Sequence, residues 1–164
     1  MRITDLLSAS SIDLNANPLN KKEAIEQAVK LMAASGNITD IEAYTKQVIA
    51  REEESTTGVG EGIAIPHGKC SAVSRPGLAA MIIRDGVDYD SLDGEPVNVL
   101  FLIAAPDSED NVHLDVLSKL SVLLMDEEFT ASLRGAESVE EFIKLVDKAD
   151  EEKNGIDERL TEGN

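Results

Sequence analysis

Apolar and polar positions fall into two rhythms along this chain, one with the period of a strand and one with the period of a helix. SIDLNA (11–16) alternates residue by residue and predicts a short strand. From Asn20 the rhythm changes: Ala24, Ile25, Ala28, Leu31 and Met32 form one helical stripe. Asn20 with Glu23 makes a capping box at its start, and Gly36 ends it. Thr39 with Glu42 reads as a second capping box, opening a helix to about Glu54 whose inward face is Ile41, Tyr44, Val48 and Ile49.

The breaker segment STTGVGEG follows, then GIAIP as a strand, a turn around Arg75–Pro76–Gly77, and LAAMII (78–83) as another strand. RDGVDYDSLDGEP contains Asp-Gly twice and reads as turns. VNVLFLIAAP (97–106) is apolar nearly throughout, the pattern of a central strand covered on both faces. A helical pattern returns from Asn111 to Met125, with shorter helices near Glu127–Leu133 and Ser138–Val146, the latter opened by Ser138 and Glu141 as a third capping box. This mixture predicts an α/β domain of helices layered on a sheet, over residues 1–147. Residues 148–164 are acidic and polar, and are expected to be a disordered tail or a linker. No internal repeat is evident.

Composition narrows the classes. With 42% hydrophobic and 29% charged residues, the chain is globular, and 164 residues suit one domain with a sizeable core. Tryptophan is absent, so Leu, Ile, Val and Ala must fill that core. A formal charge of −17 argues against nucleic acid and suits a basic protein partner, or simply a solvated surface. The single cysteine, Cys70, allows no internal disulfide and suits a reducing cytoplasm. The start of the chain lacks a signal-peptide pattern, and the run Val99 to Pro106 is too short to cross a bilayer.

The chemistry concentrates at GVGEGIAIPHGK (58–69), which holds one of only two histidines. A P-loop needs Gly, four residues, then Gly-Lys-Ser/Thr; here Cys70 follows Gly68–Lys69, and Ile63 stands where the first Gly belongs. A dinucleotide fingerprint needs glycines between a strand and the helix it feeds, whereas these glycines follow a helix and precede a strand. His67 and Cys70 have ligand-like H-x-x-C spacing, and His113 would be a third metal ligand, although one lone cysteine is poor material for a zinc site. His67 taken alone reads as a turn residue. Its setting changes that: Pro66 fixes the backbone before it, and Gly68 lets another molecule's backbone come close. A neutral imidazole so presented is a nucleophile.

His113 shares a helical face with Leu117, Leu120 and Leu124, in the first turn of its helix. It reads either as a core histidine or as a donor to an anion held at the helix amino terminus. Arg51, at the end of the second helix, reads either as a cation complementing the helix dipole or as a phosphate clamp. Together the three residues suggest reversible phosphoryl transfer.

The stretch from Glu52 through Val59, Gly60, Ile63–Ala64–Ile65, Pro66–His67 and Gly68 matches every position of a phosphorylation-site pattern. By it the chain resembles the type-2 enzyme IIA domains of the bacterial phosphoenolpyruvate-dependent sugar phosphotransferase system. REEESTTGVGEGIAIPHGK, GVDYDSLDGEPV and HLDVLSKLSVLLMDEEF resemble the fructose-specific branch most, and the likeness runs from about Ile3 to Val146. The resemblance implies a three-layer sandwich, a mixed β-sheet flanked by helices on both faces. It implies that His67 accepts a phosphoryl group on Nε2 from the carrier protein HPr and passes it to a cysteine of an enzyme IIB domain. That domain serves a membrane-embedded IIC domain, through which fructose or a related sugar enters. His113 and Arg51 match the residues around the phosphate; Thr56 and Thr57 are further candidates for hydrogen bonds to it, or simply structural hydroxyls of a turn. No nucleotide, metal or other cofactor is implied, and the domain is expected in the cytoplasm, held at a membrane permease through its partners. A nitrogen-type regulatory relative, which signals by its phosphorylation state, is the alternative.

Overall fold

The structure, a computed structural model, describes residues 2–108 and 111–155. A short 3-10 turn, Ile3–Asp5, leads into β1 (Leu7–Asp13), α1 (Lys21–Ala33) and α2 (Ile41–Glu54). Three short strands follow, β2 (Gly58–Gly60), β3 (Ile63–Ala64) and β4 (His67–Cys70), then the long β5 (Gly77–Val87) and β6 (Val97–Pro106). Helices α3 (Val112–Leu124), α4 (Glu127–Arg134) and α5 (Val139–Lys153) complete the described chain.

The strands form one mixed sheet in the order β1-β5-β6-β3-β2, with β4 also beside β6. Strand β6 is its centre, and its side chains separate by parity. Val99, Phe101 and Ile103 join the core formed with α3, α4 and α5. Leu100, Leu102 and Ala104 join the core formed with α1 and α2. Each such Val, Leu, Ile or Phe side chain withdrawn from water contributes about 1.5–3 kcal/mol, which explains why a strand buried on both faces is apolar at nearly every position. The result is three layers, as the resemblance implies.

The helix caps agree with the sequence at two places and differ at one. Asn20 accepts from the Glu23 amide at 2.9 Å, and Ser138 from the Glu141 amide at 3.1 Å. At α2 the cap is Asp40, which accepts from the Ala43 amide at 3.0 Å. Thr39 instead donates its hydroxyl to the Ala72 carbonyl at 3.1 Å, so it ties the helix to the loop after β4. Ile41, expected inside, is about half exposed, and Glu52 takes a buried place on the inner face.

The C-terminal helix is longer than its apolar pattern. Residues 148–153, expected to belong to the tail, continue α5. They do so because Asp150 is buried and accepts from the Ile3 amide at 2.8 Å, while Asp147 accepts from Arg2 Nε at 3.0 Å and from the Thr4 hydroxyl at 2.9 Å. The remainder of that stretch, 156–164, lies outside the described residues.

Candidate phosphoryl-transfer site

His67 was expected just after a strand; it lies within one. Ile63 and Ala64 pair with Val99 and Leu100, and His67 to Cys70 pair with Ile103 to Pro106 in the same unbroken parallel register. Pro66 interrupts the ladder because it has no N–H to donate, yet its carbonyl still accepts from the Ile103 amide at 3.0 Å. The ladder therefore holds the backbone on either side of His67.

Alternation along this segment then decides what each residue faces. Gly68 packs against α2: a Cβ there would come within 2.9 Å of Val48 Cγ2 and 3.0 Å of Tyr44 Cε1. Its role is thus internal packing and not the approach of another molecule. Tyr44 donates its hydroxyl to the Ile103 carbonyl at 2.8 Å, pinning α2 to the central strand at the very residue paired with His67. Burial keeps the Tyr44 proton on, raising its pKa well above the usual phenolic value. Tyr44, Val48 and Arg51 are spaced four and three residues apart, so the packing of the first two places the third over the edge of β4. Cys70 shares the parity of Gly68 and packs with the α1/α2 core, on the face opposite His67, so the H-x-x-C spacing does not form a joint site.

A cleft of about 310 Å³ lies at this edge, lined by His67, Gly68 and Lys69 of β4, by Gln47, Ala50, Arg51 and Glu54 of α2, and by His113 and Leu114 of α3. All three residues singled out for phosphoryl chemistry meet here. The His67 Nδ1 lies 3.1 Å from the Ile65 carbonyl oxygen. A carbonyl can only accept, so this contact places the proton on Nδ1 and leaves the Nε2 lone pair free for a new bond. Arg51 donates from Nη1 to the Ser55 carbonyl at 2.9 Å, so it serves the helix end and still presents its remaining N–H groups to the cleft.

His113 is half-buried in the first turn of α3 and shares the helix face of the buried Val116, Leu120, Leu123 and Leu124. Its Nδ1 is buried with no hydrogen-bond partner among the described residues. Burial, then the charge of Lys69, then that of His67, lowers its pKa below the usual histidine value, so the ring is neutral at neutral pH. A proton on Nε2 avoids a buried, unpaired N–H at Nδ1 and makes His113 a neutral donor.

A depressed histidine pKa has a defined signature in stability. The unfolded state binds the proton more readily, so the contribution is present above the ordinary pKa of about 6.5 and lost as pH falls through the lower folded value. Thermal melts of wild type and His113→Asn between about pH 7.5 and pH 5 are expected to show the variant losing less stability on acidification. Parallel curves would show that His113 does not carry this coupling.

Lys69 escaped the sequence reading. It stands two residues after His67 and therefore on the same face of β4, a period-two relation that was available once the segment was known to be a strand. Thr56 and Thr57 do not line the cleft. The Thr56 hydroxyl accepts from the Gly58 amide at 3.1 Å, and Thr57 is buried with its hydroxyl bonded to the Glu52 carboxylate. Their oxygens are committed to the turn, which corrects their expected place beside a phosphate. Among the described residues no group of three or more His, Cys, Asp or Glu is arranged to hold a metal ion, and no helix is long and apolar enough to cross a membrane.

Comparison with known proteins agrees with the fold and with the family that the sequence resembles. The profile of the family described as phosphoenolpyruvate-dependent sugar phosphotransferase system, EIIA 2, matches residues 5–149. The fructose-specific EIIABC component of Bacillus subtilis is 43% identical over 150 residues, which cover 92% of this chain and 24% of that protein. The chain thus spans about a quarter of the length of that relative. The nitrogen regulatory protein IIA-Ntr of Neisseria meningitidis superposes with a TM-score of 0.81 at 32% identity, covering 88% of this chain and 98% of that one. Enzyme IIA-mannitol of Escherichia coli, solved in complex with phosphorylated enzyme IIB-mannitol, superposes with a TM-score of 0.73 at 28% identity, covering 86% and 98%.

Proposed function

Since this chain belongs to the EIIA 2 family of the phosphoenolpyruvate-dependent sugar phosphotransferase system, we propose that His67 is its phosphoryl-carrying residue, charged by phospho-HPr and discharged to a cysteine of an enzyme IIB domain. The observation that carries this reading is the 3.1 Å contact between His67 Nδ1 and the Ile65 carbonyl, which selects the Nδ1–H tautomer, beside Arg51, Lys69 and His113 in one cleft.

The His67 Nε2 lone pair attacks the phosphorus of the donor phosphohistidine. The N–P bond to His67 forms as the donor's N–P bond breaks, and the bonding pair returns to the donor imidazole. In the second half the IIB thiolate attacks the same phosphorus and the pair returns to His67 Nε2. The protein's task is to position the groups and to neutralise the moving charge. Arg51 and Lys69 supply cations, and Arg51 presents planar N–H donors suited to phosphoryl oxygens. His113 donates from Nε2 at the first turn of α3, where the helix dipole also favours an anion.

Likeness to the fructose-specific relative supports fructose or a related sugar as the cargo. The complex of the mannitol relative supports a IIB domain as the acceptor. On this reading the domain works in the cytoplasm, at a membrane permease reached through IIB and IIC. The likeness to IIA-Ntr favours a second reading, a regulator that signals by its phosphorylation state.

The test is the intact mass of the protein after incubation with phosphoenolpyruvate, enzyme I and HPr, followed by addition of a fructose-type IIB domain. The expected result is an acid-labile gain of one phosphoryl group that disappears on adding IIB. A gain that IIB cannot discharge would favour the regulator. No gain, with HPr itself phosphorylated, would remove the carrier reading.

A further inference from the structure

The most heavily hydrogen-bonded charge among the described residues lies outside the cleft. Glu52 follows Arg51 on α2, and its side chain is only 4% exposed. One carboxylate oxygen accepts from the Thr57 amide at 3.1 Å and from the Lys21 ammonium at 2.9 Å. The other accepts from the Tyr89 hydroxyl at 2.9 Å and from the Thr57 hydroxyl. The Lys21 ammonium also sits over the Tyr89 ring, 4.6 Å from its centre. Burial alone would raise the Glu52 pKa, but bonds from Thr57, Lys21 and Tyr89 outweigh it and hold the pKa below the usual glutamate value.

A buried ion pair is a poor device for stability alone, because well-packed apolar residues of similar volume serve as well or better. The bonds leading away from this one suggest another purpose. The Thr57 carbonyl accepts from the Ile65 amide at 3.0 Å, and the Ile65 carbonyl accepts the Nδ1 proton of His67 at 3.1 Å. Three consecutive hydrogen bonds thus connect the Glu52 carboxylate to the imidazole, through Thr57 just before β2 and Ile65 in the gap between β3 and β4. Strand β3 is only two residues long, and the register between β2 and β3 shifts between Gly58 and Gly60.

We infer that Glu52 is a positioning residue for His67, anchoring Thr57 so that the Ile65 carbonyl stays where it selects the Nδ1–H tautomer and leaves Nε2 free. The role of Nε2 in transfer rests on the carrier function proposed above; the control of the tautomer does not. Glu52 does not line the cleft, and acts only through the carbonyl that His67 bonds.

Two variants test this. Lys21→Met/Glu52→Met removes both charges, so that no lone ion is buried, and deprives the Thr57 amide of its acceptor. Glu52→Gln retains a carbonyl for that amide. Tautomers are read from the long-range ¹H–¹⁵N correlations of His67 at about pH 8.5, where an imidazole is neutral. Wild type and Glu52→Gln are expected to show the Nδ1–H form, and the folded double variant a mixture with Nε2–H. Transfer from phospho-HPr is expected to slow about tenfold in the double variant with its apparent KM unchanged within about twofold, and Glu52→Gln is expected to stay near wild type. A folded double variant with the wild-type tautomer overturns the inference, and so does a Glu52→Gln protein with a mixed one. The second result decides the matter even where the double variant does not fold. Failure of the wild type to accept phosphate would strike the carrier reading alone, since the tautomer spectra need no transfer.

Discussion

His67→Ala is expected to remove phosphoryl acceptance altogether, a loss of at least about a thousandfold, while the domain stays folded. No other accessible nitrogen lone pair in the cleft replaces it. Arg51 and Lys69 are cations, and the neutral His113 ring carries its free lone pair on the buried Nδ1. The structural cost is small because His67 is half-buried and its side chain bonds the Ile65 carbonyl, a contact worth about 1 kcal/mol. In a chain of this length that lowers the melting temperature by only about 2–4 °C. Intact-mass labelling beside a thermal melt checks both halves. A variant that melts normally and still gains an acid-labile phosphoryl group would place the carrier elsewhere.

Arg51→Ala is expected to slow both acceptance from phospho-HPr and donation to IIB by about a hundredfold, the scale of losing one fixed donor aimed at developing charge. The two directions suffer alike because they pass through the same charge on the same phosphorus. The folded protein loses the bond to the Ser55 carbonyl at the end of α2, which costs about 0.3–1 kcal/mol at an exposed helix terminus. Arg51→Lys is expected to recover part of the rate, since a lysine restores the charge but not the planar fork. Single-turnover transfer in both directions, compared with melts, separates the two roles. Unchanged kinetics with a lowered melting temperature would leave Arg51 as a helix-end cation.

Much of this was legible because local pattern and tertiary role coincide. The apolar run at 97–106 became β6 residue for residue, and a strand buried on both faces has few polar positions, here only Asn98, to blur its ends. Asn20 and Ser138 cap their helices as read, since a cap bond closes within three residues. The site motif showed His67, and a helix amino terminus and a helix carboxyl end showed His113 and Arg51.

Features fixed at long range were less visible. Strands β2 and β4 are glycine-rich or polar and owe their existence to pairing with β3 and β6, which no local rhythm records. Lys69 became a site residue only with that pairing. Residues 148–153 look like a solvated tail until Asp150 finds the amide of Ile3. Glu52 was legible as a motif position but not as a buried anion, because its partners Lys21 and Tyr89 lie 31 positions before it and 37 after it. Sequence spacing carries no signal at such distances.

The clasp between the first turn and the last helix has a topological consequence. Arg2, Ile3 and Thr4 are bonded to Asp147 and Asp150, so the two ends of the described fold lie side by side. A polypeptide entering and leaving there does so at one point, without drawing on the sheet or opening the cleft between β4, α2 and α3. Spliced into a longer protein, such a unit is a pendant on a loop rather than a link in a chain: tension along the host passes it by, and the head that carries His67 turns about a single stem.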